Sequence, residues 1–327
     1  MRSIVTGVLF LAGCLCVQSS LADSAQITEW KVPFENSRPR DPFVDSLGRV
    51  WFCGQAGAYL AYFEPGSAGF KKYDLDDGAA PHNLIIDSQN QIWFAANTLP
   101  YIGRLDPETG AVSKFTMPDR TARDPHTLVF DGEGNIWFTA QWSNLIGRLI
   151  TATGQIDLVH LPDAGSRPYG IRVDSTGHAW AALFGTNKLA RVNPETLALE
   201  LVELPQQGSR PRRLEISDQG VIWYGDYSRG MLGRYDPAAK TFREWQLPGG
   251  PGSRPYAMTM DHHQNVWLAE AGSPNRLVEF NTGKQAFDRV VDVPNAQGSI
   301  RHMYFDGVTQ SIWFGEDSNY IGRLRIP

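Results

Sequence analysis

Seven tryptophans recur along the chain at nearly constant intervals, and this periodicity limits the possible folds more than any other feature. Trp51, Trp93, Trp137, Trp180, Trp223, Trp267 and Trp313 stand 42, 44, 43, 43, 44 and 46 residues apart. Each closes the same phrase: an Asp or Ser six or seven residues earlier, usually a Gly or Asn between, and an apolar residue just ahead, as in Asp131-Gly-Glu-Gly-Asn-Ile-Trp137-Phe. Asp and Gly supply a tight turn, because Asp bonds back to its own backbone and Gly tolerates left-handed conformations. Ile-Trp-Phe has the composition of a strand core.

Further strands follow each tryptophan. Tyr101-Ile-Gly-Arg-Leu-Asp-Pro, Leu145-Ile-Gly-Arg-Leu, Met231-Leu-Gly-Arg-Tyr-Asp-Pro and Tyr320-Ile-Gly-Arg-Leu share one signature. A turn such as Asp106-Pro-Glu-Thr-Gly110 then leads into an alternating segment, Val112-Ser-Lys-Phe-Thr-Met-Pro. Another strand opens on an Arg-Pro or Asp-Pro pair, as in Arg167-Pro-Tyr-Gly-Ile. Four short strands in some 43 residues, seven times over, specify an all-β, seven-bladed β-propeller of four-stranded blades. No helical period interrupts the pattern. The last repeat ends after its third strand, while Ile27-Thr-Glu-Trp-Lys-Val-Pro33 matches the outer-strand phrase Phe242-Arg-Glu-Trp-Gln-Leu-Pro248. The N-terminal strand is therefore predicted to complete the last blade and remove an open sheet edge.

Residues 1–22 read as a secretory signal peptide, with Arg2, an apolar run from Ile4 to Val17, and small residues Ser20 and Ala22 before Asp23. That leaves 23–327 as one propeller domain, secreted or periplasmic. Leu11-Ala12-Gly13-Cys14 also resembles a lipobox, which gives the alternative of a lipoprotein anchored through Cys14. The apolar run is shorter than the roughly 20 residues that cross a bilayer, and no later segment approaches that length. Three cysteines, two of them in this leader, are too few for a disulfide framework. With 30 basic and 35 acidic residues, the chain lacks the basic domain or stripe of a nucleic-acid binder. A monomer is expected.

In a propeller the inner strands line a central channel, and ligands meet its face. Counting the residue after each repeat's proline places Phe43, His82, His126, Tyr169, Arg212, Tyr256 and His302 around the rim, the last following Arg301 instead of a proline. The loops after the tryptophans bring Gln55, Asn97, Gln141, Asp226, Glu270, Glu316 and Asp317 to the same face. An imidazole at His302 near Glu316 and Asp317 is the raw material for general-base chemistry or for an oxygen/nitrogen metal site. Polar rings also line water-filled channels with no ligand. The Gly-Arg arginines read as structural. Arg167, Arg210, Arg254 and Arg212 read either as holders of an anionic group or as partners of loop carbonyls.

Taken together, Arg-Pro-Tyr-Gly-Ile, Asn-Ile-Trp-Phe-Thr, Asn-Leu-Ile-Gly-Arg-Leu and Ile-Thr-Glu-Trp-Lys-Val-Pro resemble the virginiamycin B lyase (streptogramin lyase) family across the whole mature chain. The resemblance implies a propeller enzyme that opens a cyclic depsipeptide without hydrolysis. A histidine removes a proton α to a carbonyl, Mg²⁺ held by acids stabilises the enolate-like charge, and elimination expels a carboxylate. Carried over, the base falls on His302 and the metal on Asp317 and Glu316, with Glu270 completing a rearranged ligand set. Tyr256, His126, His82, Tyr169 and Arg212 are the expected substrate contacts. Where the family has Glu-Pro before the base, this chain has Ile300-Arg301, and Tyr256 replaces a substrate-contacting histidine. Two other functions share the architecture. One is a gluconolactonase-like lactone hydrolase with an ion on Asn97, Glu270 and Asp226. The other is a non-catalytic propeller binding a small molecule, peptide or protein on its channel face.

Overall fold

The computed structural model describes residues 27–272, 275–295 and 297–326. The expected leader at 1–22, with Cys14, lies outside the described residues. Seven four-stranded antiparallel sheets make up the fold. Six blades run 39–74, 81–116, 125–160, 168–203, 211–246 and 255–292; the seventh joins 300–325 to the strand Ile27–Lys31. Among the described residues there is no α-helix, only a single 3₁₀ turn at Gly250–Gly252. The chain is thus the predicted propeller, and it closes as predicted: Trp30 lies opposite Ile321, and Val32 N–H donates to the Asn319 carbonyl at 2.9 Å.

Burial falls off outward along each blade. The second strand of blade 1, Val50–Gly54, is wholly buried, while its outermost strand, Gly69–Asp74, is mostly exposed, with only Phe70 and Tyr73 half-buried. The repeated phrase explains the core between blades. In Asp45, Asp87, Asp174 and Asp261, Oδ1 accepts two turn N–H groups, and Oδ2 accepts the indole N–H of the tryptophan six residues on, at 2.8–2.9 Å. One carboxylate therefore ties the hairpin turn to the largest side chain of the interior. The glycines of the Ile-Gly-Arg phrase are required by packing. A Cβ at Gly103, Gly147, Gly233 or Gly322 would overlap the ring of Phe94, Phe138, Tyr224 or Phe314, the residue after each blade's tryptophan. The arginine that follows lays its guanidinium over the tryptophan itself, as with Arg104 on Trp93, Arg148 on Trp137 and Arg323 on Trp313 at 5.3–5.4 Å. These arginines are structural.

Every inner strand carries a β-bulge near its start, with one extra residue against the second strand. A bulge re-aims side chains that a regular strand would alternate. Here it brings two successive residues of each inner strand to the channel. This single device sets the composition of the site.

Candidate functional site

The bulges stack two rings of side chains on the channel axis. Register with the second strands makes Pro39, Pro81, Pro125, Pro168, Pro211, Pro255 and Ile300 equivalent. The upper ring is accordingly Arg40, His82, His126, Tyr169, Arg212, Tyr256 and Arg301. The lower ring is Asp41, Asn83, Thr127, Gly170, Arg213, Ala257 and His302. Two of the rim positions read from the sequence need correction. Phe43 lies deeper, stacked on Tyr304 at 4.1 Å toward the opposite mouth. His302 belongs to the lower ring, and Arg301 takes the rim.

Both displacements have a physical cause. In blade 1 the equivalent proline is Pro39, twelve residues before Trp51, as Pro81 is twelve before Trp93; Pro42 is a second proline inside the bulge. In blade 7 the turn between inner and second strands holds one more residue, so that Asp306 stands seven before Trp313 instead of six. Counting twelve back from Trp313 then stops one position short, at Arg301 instead of Ile300. The same extra residue separates Asp306 from the indole. Its oxygens take Val308 N–H and Thr309 instead.

In the upper ring, His82 and His126 are in contact with centroids 3.6 Å apart and planes tilted by 39°, and His126 meets the edge of Tyr169 at 4.2 Å. The phenols of Tyr169 and Tyr256 share a hydrogen bond of 2.6 Å. Arg301 Nη1 donates to the Tyr256 hydroxyl at 3.0 Å while its fork holds Asp317, at 2.7 Å for Nη2. Arg212 is enclosed by aromatic rings. Its guanidinium stands 3.6 Å from the Tyr256 centroid, and Phe184, Tyr169 and Tyr227 follow at 4.4, 4.6 and 4.7 Å. Arg210, by contrast, spends its Nη1 on the carbonyls of Gln207 and Ser209, and Arg167 stacks on Trp142.

The lower ring was largely invisible to sequence reasoning. Asp41 is fully buried and accepts from Asn83 Nδ2 at 2.8 Å, with Arg40 and Arg213 each 3.6 Å from its oxygens. Asn83 Oδ1 accepts Leu128 N–H across the blade boundary, and Arg213 Nε donates to the Arg301 carbonyl. Gly170 leaves the space that Arg213 occupies, since a Cβ there would press on its backbone. Arg40, Asp41, Asn83 and Arg213 were missed, although the Pro-x-x phrase at constant distance from the tryptophan would have found them. Below this ring the channel widens into a cavity of about 350 Å³, lined in part by Phe43, Phe130, Arg172, Met303 and Tyr304, and reaching Asn83 and His302. A separate recess of about 890 Å³ lies between the outer parts of blades 5 and 6 and contains none of the ring residues.

Electrostatics follow from four guanidinium groups at the axis. Burial drives the imidazoles of His82 and His126 well below their ordinary range, and neighbouring Arg40 and Arg213 add to it. His302 is pushed down to about 3 by burial against the pull of Asp41, with Arg213, Arg172 and Arg40 also opposing its charge. All three are neutral at pH 7. Burial opposes ionisation of Asp41, yet His302, Arg213 and Arg40 facing it keep its carboxyl low, and the arginines supply the charge. Burial likewise opposes ionisation of Tyr256, but Arg40, Arg212 and Arg301, together with the Tyr169 hydrogen bond, bring its phenol down to about 7. Tyr169 moves the other way, chiefly through burial. Two coupled phenols separated in this fashion form a donor and an acceptor.

The acids expected to hold Mg²⁺ are engaged elsewhere. Asp317 is forked by Arg301 and approached by Arg38; Glu270 accepts from Arg276 Nε and Gly249 N–H; Glu316 accepts from Ser318. Asp226 takes Arg210 N–H and pairs with Arg229. Among the described residues no group of three or more His, Cys, Asp or Glu side chains is arranged to hold a metal ion. A site walled by four guanidiniums repels a divalent cation, so the residues present do not fit one.

Solved structures similar to this chain share the architecture. Virginiamycin B lyase from Staphylococcus aureus matches with a TM-score of 0.83 at 24% identity, over 92% of this chain and 99% of that one. A catalytically inactive histidine-to-alanine variant of the same Staphylococcus aureus enzyme, crystallised with quinupristin, gives the same TM-score, identity and coverage. A streptogramin B lyase structure matches at 0.82 and 24% identity, covering 92% of this chain and 98% of that one. At these identities the likeness establishes the fold. A search of curated proteins finds no match. The family model for virginiamycin B lyases matches residues 24–192, more than half of the sequence. With the tryptophan-paced blades and the closing N-terminal strand, this chain belongs to the virginiamycin B lyase family.

Proposed function

We propose that this propeller is a secreted carbon–oxygen lyase that abstracts a proton α to a carbonyl of an ester or depsipeptide-type substrate at the channel axis, with the Tyr256 phenolate as base. The observation that carries the reading is the Tyr256–Tyr169 hydrogen bond at 2.6 Å, set among Arg212, Arg301 and Arg40. A phenol tuned near the working pH is an efficient proton acceptor. In the step proposed, the phenolate oxygen takes the α-proton and the electron pair of that C–H bond forms the new C=C bond. The C–O bond at the β-carbon breaks, and a carboxylate leaves with its electrons. Arginine nitrogens at the axis stabilise the enolate-like charge, the task that acids and Mg²⁺ carry in the family's mechanism. His302, one layer lower, stays neutral and acts with Asp41 in positioning. His82 and His126, packed against each other, form an imidazole wall for the substrate.

The test is a β-acyloxy ester and depsipeptide panel, quinupristin included, followed by appearance of the conjugated alkene and by the absence of solvent oxygen in the product. Wild type is expected to turn over with an acidic limb near pH 7, and Tyr256→Phe to lose about 100-fold or more in kcat. An active Tyr256→Phe beside a dead His302→Ala restores the imidazole as base. Solvent oxygen in the product would make the enzyme a hydrolase. Retained ligand binding with no turnover would leave a binding propeller.

A further inference from the structure

We infer that the ligand of this axis carries a single carboxylate, seated between Arg40 and Arg213. Its role as substrate rests on the lyase reading above, while the anion site rests on the ring geometry alone. Arg40 and Arg213 are 3% and 2% exposed, so their charges cannot be screened by bulk water. Arg40 donates through Nη1 to Gln55, and its Nε and Nη2 reach no hydrogen-bond partner. Arg213 Nη2 and Arg212 Nε are likewise without one. Asp41 ion-pairs with both at 3.6 Å, Oδ1 to Arg40 Nε and Oδ2 to Arg213 Nη2, but gives neither a hydrogen bond; its Oδ1 is itself unpaired and its Oδ2 is bonded to Asn83.

Buried donors in native proteins are almost always paired, and buried charge is retained only when something compensates it. Four guanidiniums face two carboxylates here, Asp41 and Asp317, and Asp317 is committed to Arg301 and Arg38 at the mouth. Two unit charges remain, or one when Tyr256 ionises. A monoanion together with the Tyr256 phenolate balances that surplus, whereas a dianion would be opposed by Asp41 below it. Among monoanions a planar carboxylate matches the guanidinium fork, which donates two parallel hydrogen bonds to two oxygens. Seated there, the carboxylate lies beside the Tyr256 hydroxyl and fixes the neighbouring carbon with respect to the base. The substrate class is therefore an acid with an acyloxy leaving group, not a neutral cyclic ester.

The experiment is a spectrophotometric titration of tyrosinate on the folded protein at constant ionic strength, with acetate, propionate, inorganic sulfate or chloride. Carboxylate binding cancels positive charge around Tyr256, so acetate and propionate should saturably raise its ionisation from about 7 by about one pH unit or more. Arg40→Lys keeps the charge and removes the fork; its carboxylate affinity should fall about tenfold or more. Saturable binding in the wild type alone decides the point if that variant does not fold. No saturable shift, or equal shifts with chloride and sulfate, overturns the carboxylate site. Carboxylate binding without turnover overturns only the lyase reading. Turnover that prefers neutral esters overturns the carboxylate and leaves the lyase standing.

Discussion

At the scale of single residues, the arginines of the ring favour the charged form of a phenol and the neutral form of the imidazoles. His302 has the acid-base side chain that a sequence reader looks for, yet burial beside arginines holds it near 3, where it is neutral throughout physiological pH. Tyr256 meets the same arginines with the opposite consequence, since they favour its charged form. Of the 11 tyrosines in the chain, Tyr256 should be the one to ionise near pH 7, giving a tyrosinate absorbance step that Tyr256→Phe abolishes. The clamp aspartates allow a second comparison. Asp261→Ala removes an indole bond and two turn bonds to one carboxylate, and hydrogen bonds to charged groups are worth about 1.5–3 kcal/mol. Asp131 holds only its turn, because Trp137 Nε1 has no partner. Thermal denaturation should find Asp131→Ala the milder of the two.

At the scale of elements, the closing strand carries a pH dependence. Glu316 ends the second strand of blade 7 and faces Glu29 on the N-terminal strand. Burial first, and then that second carboxyl group, push Glu316 up from 4.5 to about 8. The folded chain therefore holds a proton that the unfolded chain gives up at its ordinary value. Stability should fall as pH rises from the unfolded value of 4.5 through about 8, then level off. Glu316→Gln, which keeps a neutral hydrogen-bonding group there, should flatten that slope and raise Tm at pH 8 by a few degrees. An unchanged slope would place the effect elsewhere.

The elements also show how far the residues could be read in advance. Blade count, strand content and ring closure were legible because Trp, Asp and Gly are repeated for packing reasons that leave a period in the sequence. The ring was only half legible. Bulges double the number of channel residues without changing the period, and one added residue after Asp306 hides the register of blade 7. The pairing of Asp317 with Arg301 was equally hidden, since it depends on which side of a strand the bulge presents.

For the molecule as a whole, closure and site are coupled through blade 7, which holds both Arg301 and the N-terminal strand. Deleting residues 27–31 would expose the edge of Tyr320–Arg325 and uncover Trp313, against which Trp30 packs at 5.6 Å. Such edges invite pairing between chains, so the truncated protein should aggregate in light scattering and lose the tyrosinate step near pH 7. Chelator treatment is expected to leave Tm and the titration curve unchanged; a Tm drop reversed by Mg²⁺ would show that the acids rearrange to hold an ion.

The stacked rings have a consequence for how such a scaffold changes. Each blade lends the axis two adjacent letters, while the tryptophan, its aspartate and its stacked arginine sit farther out and bear the mechanical load. The axis thus works as a two-tier register of fourteen interchangeable positions inside an indifferent frame. Rewriting one tier alters what is held; rewriting the other alters the field in which it is held. A family built this way can change the charge at its axis in a handful of substitutions, without repacking a single blade.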